Sequence, residues 1–363
     1  MTSMQIVIFI LTVLTVIATL LPLINLKHWF FRGMDFPRLQ IMFIAFTLLL
    51  ATYAFLDLER PITLVLATAN LFCVCWQLWW ILPYTTLWSK EVKFVKNFNS
   101  NSQLSIMTSN VLATNRNSEA LIKLVNDFRP DILVTLESDK WWENQLSVLE
   151  SDMPYSVKCP LENLYGMHVY SKLPLFDSEI SFLVEENVPS IHTCIELKSG
   201  VRVRAHFLHP APPSPTENEE STERDAELII VAKSVKNSSQ PIIVTGDLND
   251  VAWSSTTRLF RKISRLLDPR IGRGMYNTFN AKNPLLRWPL DHIFHSSHFT
   301  LNTIKRLPSI DSDHFPLFTS LVFSPAEAIN QTGLEIEDED YITAQEVMIM
   351  KNVNESDVPE PNE

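Results

Sequence analysis

The sequence predicts a mixed α/β domain carried behind three membrane-spanning helices. Three observations lead there. The long apolar runs lie almost wholly before Trp88. Short β-rich runs alternating with amphipathic stretches begin near Val92. The acidity of the chain is gathered in a tail after Phe323.

The first apolar run is Met4–Ile24, the second Leu39–Leu56 and the third Ile62–Pro83. Each is close to the ~20 residues that cross a bilayer as a helix. The first lacks the charged start and small-residue cleavage site of a signal peptide. The third ends among Trp76, Trp79, Trp80, Tyr84 and Trp88, and such aromatics favour the membrane–water interface. Consecutive runs without charge argue against three core helices of a soluble protein. The same lack of charge argues against a transport pathway. With three spans, the first loop and everything after the third span share one side. That side carries Lys27, Arg32, Arg38, Lys90, Lys93 and Lys96; the other side carries Arg60. Positive residues near span ends favour the cytoplasm, so the expectation is a multi-pass protein of the cell membrane with a cytoplasmic domain.

Residues 89–103 read as a linker and 104–323 as one domain. Strands are expected at Leu104–Thr108, Ile132–Leu136, Gly166–Tyr170, Ile191–Leu197, Val201–Leu208 and Ile242–Thr245. Asp291–Phe294, Leu301–Leu307 and Leu317–Phe323 complete the set. Ser118–Phe128 and Glu223–Val235 read as helices, the first stopped by Pro130. Pro210–Glu220, with its prolines, reads as a loop. Adjacent strand–strand runs and strand–helix–strand units together mark a mixed α/β fold.

The formal charge is −11. Residues 324–363 hold eleven acids against Lys351 alone. The domain before them is therefore nearly neutral, and the low isoelectric point says little about its substrate. The acidic tail, poor in aromatics, is expected to be disordered. Cys73 and Cys75 fall in an apolar run, and Cys159 and Cys194 carry no metal-ligand spacing. Neither a disulfide framework nor a zinc site is indicated, and the redox compartment stays open.

Four signals sit at strand ends. They are Ser109-Asn110-Val111; Thr135-Leu136-Glu137; Gly246-Asp247-Leu248-Asn249; and the pair Leu290-Asp291-His292 with Ser312-Asp313-His314. A single Asp in such a place is commonly a cap. Several carboxylates, amides and imidazoles at the ends of buried strands can instead converge on one edge of a sheet. Oxygen ligands of that kind suit Mg²⁺ or Mn²⁺.

In this order the segments SNV, DILVTLE, GMHVYSKLPL, HFLHP, VTGDLNDVAWS, LDHIF and SDHFPL resemble the endonuclease/exonuclease/phosphatase superfamily over roughly Leu104 to Phe323. Apurinic endonucleases, pancreatic-type DNases, inositol-phosphate 5-phosphatases and neutral sphingomyelinases belong to that superfamily. The Gly-Asp-x-Asn and Ser-Asp-His elements are the most specific. The resemblance implies a four-layer sandwich of two mainly antiparallel sheets flanked by helices. It implies metal positions at Asn110 and Glu137, with Asp313 an acid near the same or a second metal. Asp247 matches the residue that orients or deprotonates the attacking water, and Asn249 its phosphate-contacting partner. Asp291 matches the carboxylate that holds a histidine, here His314. His209 matches the other histidine, which contacts phosphate or aids the leaving group. Lys172 stands where the family often has an arginine, implying a phosphate contact. Trp253 matches a residue of the pocket floor, expected to pack rather than to stack on substrate.

The resemblance thus implies a membrane-anchored, metal-dependent phosphoester hydrolase. Its partners would be a lipid bilayer and a nucleic acid, a phospholipid headgroup or a lipid-linked pyrophosphate; no protein partner is expected. A catalytically inactive scaffold using the same fold is the competing reading, and the presence of the principal site residue types weighs against it. Finally, Arg258, Arg261 and Arg265, with Lys262, line a helix after Asp247, and Arg270, Arg273 and Arg287 follow. Such a face suits an anionic substrate or membrane surface, and equally a solvated basic face.

Overall fold

In the computed structural model, which describes residues 3–24 and 26–361, three long helices come first. They are α1 (Ser3–Leu20), α3 (Arg38–Phe55) and α4 (Pro61–Ile81), with the short α2 (Trp29–Arg32) between the first two. The stretches Ser3–Leu23, Arg38–Phe55 and Pro61–Tyr84 are long and apolar enough to cross a membrane. A polar seam lies inside the bundle. Asn70 Nδ2 donates to Thr12 Oγ1 at 2.9 Å, and Gln77 Nε2 to Thr19 Oγ1 at 3.2 Å. Both partner pairs repeat every seven residues, the spacing that keeps one helix face on its neighbour. Buried hydrogen bonds of this kind join apolar helices that gain little from hydrophobic contact in lipid.

The α/β domain runs β1 (Gln103–Asn110), α5 (Ser118–Phe128), β2 (Ile132–Leu136), α6 (Lys140–Leu146), β3 (Tyr155–Cys159), β4 (Met167–Ser171) and β5 (Leu175–Ser181). It continues β6 (Ser190–Glu196), β7 (Arg202–Leu208), α7 (Thr222–Val235), β8 (Ile242–Asp247) and α8 (Ser255–Ser264). Then come β9 (Asp291–His295), β10 (Phe299–Arg306), β11 (Leu317–Phe323) and α9 (Asp338–Lys351). One sheet has the order β10-β11-β1-β2-β4-β3, the other β5-β6-β7-β8-β9. Each is antiparallel except for one parallel pair, β1 with β2 and β7 with β8. Each parallel pair needs a crossover, and α5 and α7 supply them.

The sheets face each other across a core that includes Ile106, Val134 and Val169 on one side and Ile195, Ala205, Ile243 and Ile293 on the other. α5 and α6 cover the first sheet, and α7 and α8 cover the second. α5 shows how local sequence sets an element. Asn117 caps it by accepting from Ala120 N, Leu121, Leu124 and Val125 turn inward at helical spacing, and Arg129 ends it in the left-handed conformation before Pro130.

Two strands were not legible in the sequence, β3 and β5. Both are edge strands. Tyr-Ser-Val-Lys-Cys and Leu-Phe-Asp-Ser-Glu-Ile-Ser lack the apolar run of a central strand because one side of each meets solvent, and β5 carries a register shift besides. Two further expectations are corrected. Residues 89–103 are not a free linker: Val95 N donates to the Leu301 carbonyl of β10, Leu301 N donates back to the Lys93 carbonyl, and Val92 is buried. The tail is not disordered. α9 lays Ala344, Val347 and Met348 against α7 and α8, and Val358 joins them. Ion pairs of both polarities tie it to the domain: Lys262 of the domain pairs with Glu337 and Asp340, and Lys351 of the tail with Glu223. Composition misled here because three residues at helical spacing, Ala344, Val347 and Met348, suffice to dock the helix even though Ile342, Ile349 and Met350 stay exposed.

The three helices are fastened to the domain. Ile81 and Tyr84 share a cluster with Val251, Ala252, Trp253, Ile271 and Leu290. Trp253 donates Nε1–H to the Asp35 carbonyl at 2.9 Å. Trp253 therefore packs, as expected, but against the segment of the three apolar helices.

Candidate active site

The two parallel pairs decide where the site forms. Their four carboxyl ends deliver Asn110 from β1, Glu137 just past β2, His209 just past β7 and Asp247 from β8. Thr108 and Thr245 touch through their hydroxyls at 3.1 Å, so the two sheets converge below this edge. Asp291 opens β9 directly opposite Asp247. His314 arrives on the loop before β11.

The side chains interlock. Asn110 Nδ2 donates to Glu137 Oε1 at 2.7 Å and to Asp247 Oδ2 at 3.2 Å. His314 Nδ1 lies 2.8 Å from Asp291 Oδ2, and its Nε2 lies 3.4 Å from Asp247 Oδ2. His209 Nε2 approaches Asp247 from the other side at 3.9 Å. Asn249 N donates to Asp247 Oδ1 at 2.9 Å, while its amide donates to the Pro210 carbonyl at 3.0 Å. The cluster Asp247, Asp291 and His314 brings one ligand atom from each within 4.8 Å.

Backbone conformation is specialised where these residues sit. Glu137 has φ +56° and Asn249 φ +50°, conformations uncommon outside glycine and held only when neighbours impose them. Gly246 has φ +151°, and a Cβ there would lie 1.8 Å from the Leu208 carbonyl oxygen. The Gly of Gly-Asp-x-Asn is thus required for the two parallel strands to close up beside Asp247.

Burial and charge tune the groups unequally. Burial pushes the Glu137 carboxyl up to about 7, although Asn110 and His314 pull the other way. Burial also opposes ionisation of Asp247, but His314, His209 and the hydrogen bonds from Asn249 and Asn110 outweigh it and hold the group below its ordinary value. Asp291 is raised by burial. His314 rises to about 10: burial opposes the cation, yet Asp291 and Asp247 together prevail. Burial lowers His209 to about 4. One histidine is therefore held cationic and the other neutral at pH 7.

The residues fit a hard divalent cation. Glu137 Oε2 is buried without a hydrogen-bond partner, beside an amide and acids, with no thiolate nearby. Glu137, Asn110 and the half-buried Asp313 form the oxygen-rich side of the site. In the Asp247–Asp291–His314 cluster the facing atoms partner one another, which suits proton handling.

Lys172 is not brought to the site. It follows β4 at the end paired with Ile132, the opposite end of the sheet from Glu137, and it pairs with Asp152 at 2.8 Å. Strand direction forbids the expected phosphate contact. The basic stretch after Asp247 is corrected too. Arg261 is buried against Glu91 at 2.5 Å, and Arg270 is wholly buried against Asp268. Arg273 donates to the Val92 carbonyl. Arg261, Arg270 and Arg273 are thus internal braces, while Arg258 and Arg265 stay exposed, as a solvated face would have them.

Several supporting residues carried no signal in the sequence. Arg224, buried, donates to the Asn249 carbonyl at 2.9 Å and lies 3.4 Å from Asp250. Arg270 Nη2 contacts His292 Nδ1 at 2.8 Å, and His292 Nε2 meets the Asp250 carbonyl at 2.9 Å. The Tyr165 ring packs tilted against His209 at 5.3 Å, and the Phe279 ring tilted against His314 at 4.9 Å.

Residues 97–314 match the endonuclease/exonuclease/phosphatase family, and the chain belongs to it. Solved structures agree in fold. An endonuclease/exonuclease/phosphatase from Beutenbergia cavernae is 16% identical with a TM-score of 0.51, covering 61% of this chain and 72% of its own. The human Nocturnin catalytic domain with bound sulfate anion is 18% identical with a TM-score of 0.50, covering 61% and 95%. TDP2 of D. rerio, humanized by 14 mutations, is 15% identical with a TM-score of 0.50, covering 61% and 99%. No curated protein sequence matches this chain. Members of the family are generally metal-dependent phosphoester hydrolases.

Proposed function

We propose that this chain hydrolyses phosphoester bonds with a divalent metal, Mg²⁺ or Mn²⁺, while its three N-terminal helices hold it in a membrane. The observation that carries the reading is the buried, unpartnered Glu137 oxygen beside Asn110 and the Asp247–His314–Asp291 array. Glu137 and Asn110 would hold the ion, with Asp313 beside them. When bound, such an ion supplies positive charge to the phosphoryl oxygens, which otherwise repel a nucleophile.

The chain's own groups do the rest. Asp247, kept ionised, accepts the proton of the attacking water. His314, fixed by Asp291 and kept cationic, places charge and a hydrogen bond where negative charge develops on phosphorus. His209, neutral and positioned by Asp247, and the Asn249 amide orient the phosphate. The six positive residues on the domain's side of the spans, against Arg60 on the other, support a cytoplasmic domain. The test is hydrolysis of bis(p-nitrophenyl) phosphate by the full chain in detergent. Activity should vanish with EDTA and with Asp247→Asn, and return with Mg²⁺ or Mn²⁺. Full turnover after exhaustive chelation would overturn the reading.

A further inference from the structure

Two loops bear candidate catalytic residues and a third packs against another, and all three end on the membrane-helix segment. His209 leads through Pro210 into the 211–220 loop. That loop is bound to the turn between the first two spans: Trp29 N donates to the Glu219 carbonyl and Ser221 N to the Lys27 carbonyl, both at 2.8 Å. The Asp247 loop reaches Ala252, whose carbonyl accepts the Tyr84 hydroxyl, and Trp253, which donates to Asp35. The third loop is a hairpin closed by Phe279 and Trp288. Its base holds the Ser-Asp-His element: the Phe279 ring packs against His314, and Ala281 N donates to the Asp313 carbonyl at 2.6 Å. Its tip meets the second span, where Gln40, in the first turn of α3, donates to the Leu285 carbonyl at 2.8 Å, and at its base Trp288 packs on Phe36 just before that span.

The active-site edge of the sandwich is therefore the edge laid against the span ends Leu23, Arg38 and Tyr84. Its rims are apolar where they meet that level. Leu285 is 79% exposed and Leu286 44% on the hairpin; Leu26 is 50% and Phe30 43% on the opposite loop. Exposed leucines held against the first turn of a membrane-length helix lie at the depth of lipid headgroups, where burial in acyl chains removes their contact with water. Lys282, exposed on the same hairpin, makes no ion pair among the described residues, a charge that suits an anionic headgroup.

We propose that the substrate is a phosphoester carried by a membrane lipid, and that the 280–287 hairpin contacts the bilayer beside the cleft to admit it. This rests on the hydrolase reading above and names the substrate for that site. A cleft walled by loops seated at the headgroup plane admits a headgroup from the membrane without lifting the lipid out of it.

The test uses the full chain reconstituted in phosphatidylcholine vesicles. These contain phosphatidylglycerol, phosphatidylinositol phosphates, sphingomyelin or polyprenyl pyrophosphate. Single-stranded oligonucleotide and bis(p-nitrophenyl) phosphate serve as water-soluble substrates. At least one vesicle lipid should be hydrolysed with kcat/KM at least 100-fold above its soluble headgroup analogue. The double variant Leu285→Ser, Leu286→Ser should lower the ratio of lipid to soluble turnover at least tenfold. A p-benzoylphenylalanine at Leu285 should crosslink to lipid under ultraviolet light, and one at Tyr155, on the opposite edge, should not. Oligonucleotide turnover above that of every vesicle lipid, or an unchanged ratio in the double variant, overturns the lipid proposal and leaves the hydrolase reading standing. Absence of crosslinking at Leu285 overturns the bilayer contact by itself. Hydrolysis of nothing overturns the hydrolase reading and the lipid substrate together.

Discussion

Glu137→Gln separates a ligand from a structural carboxylate. Burial raises the Glu137 carboxyl from 4.5 to about 7. Each pKa unit is worth about 1.4 kcal/mol, so its charge opposes folding by up to ~3 kcal/mol at pH 8 without metal. The folded state binds the proton more tightly than the unfolded one. This contribution to stability is therefore full below pH 4.5 and lost as pH rises towards 7. A neutral amide escapes the penalty and keeps the shape. In EDTA at pH 8, Glu137→Gln should melt above the wild type, by about 4–10 °C for a domain of this size. At pH 5 the gap should nearly close. Mg²⁺ should raise the melting temperature of the wild type and leave the variant unmoved, because ligand linkage acts only where the ion binds. The variant should show no hydrolysis. Thermal melting of the full chain in detergent, followed by circular dichroism, reads all of these. A variant that melts below the wild type in EDTA, or that gains as much from Mg²⁺, would refute the assignment.

Asp247→Asn should reduce kcat by a factor of about 10²–10⁴, as loss of a general base does, with melting within a few degrees of wild type. Asp291→Asn removes the main anion holding His314 near 10, so activity should fall away at a lower pH than in the wild type, seen as an alkaline limb shifted down in the kcat profile. Met348→Ala, which empties a buried position between α9 and α7, should cost about 2–5 kcal/mol and lower the melting temperature without changing KM. A reporter fused behind the last residue should fluoresce as green fluorescent protein and be inactive as alkaline phosphatase; the reverse would place the domain outside the cytoplasm.

The sequence alone determined the periodic parts. Runs of apolar residues announced three membrane-length helices, and the central strands announced themselves because both faces are buried, as in Ile132–Leu136 and Ile242–Val244. The site residues Asn110, Glu137, Asp247, Asp291 and His314 could be named from strand-end motifs, since strand ends are fixed by the same apolar pattern. Tertiary structure decided what depends on direction and partner. Lys172 lies next to a motif yet at the wrong end of β4, because an antiparallel strand carries its two ends to opposite edges of the sheet. Arg261 and Arg270 are braces rather than a surface because Glu91 and Asp268, distant or unremarked in sequence, fold against them. The acidic tail docks because Ala344, Val347 and Met348 meet an apolar face on α7 that no local composition reveals. The seating of the candidate active-site edge on the ends of the apolar helices rests on single contacts, such as Gln40 with Leu285 and Trp253 with Asp35. Their sequence separations are so large that only the packed chain brings them together.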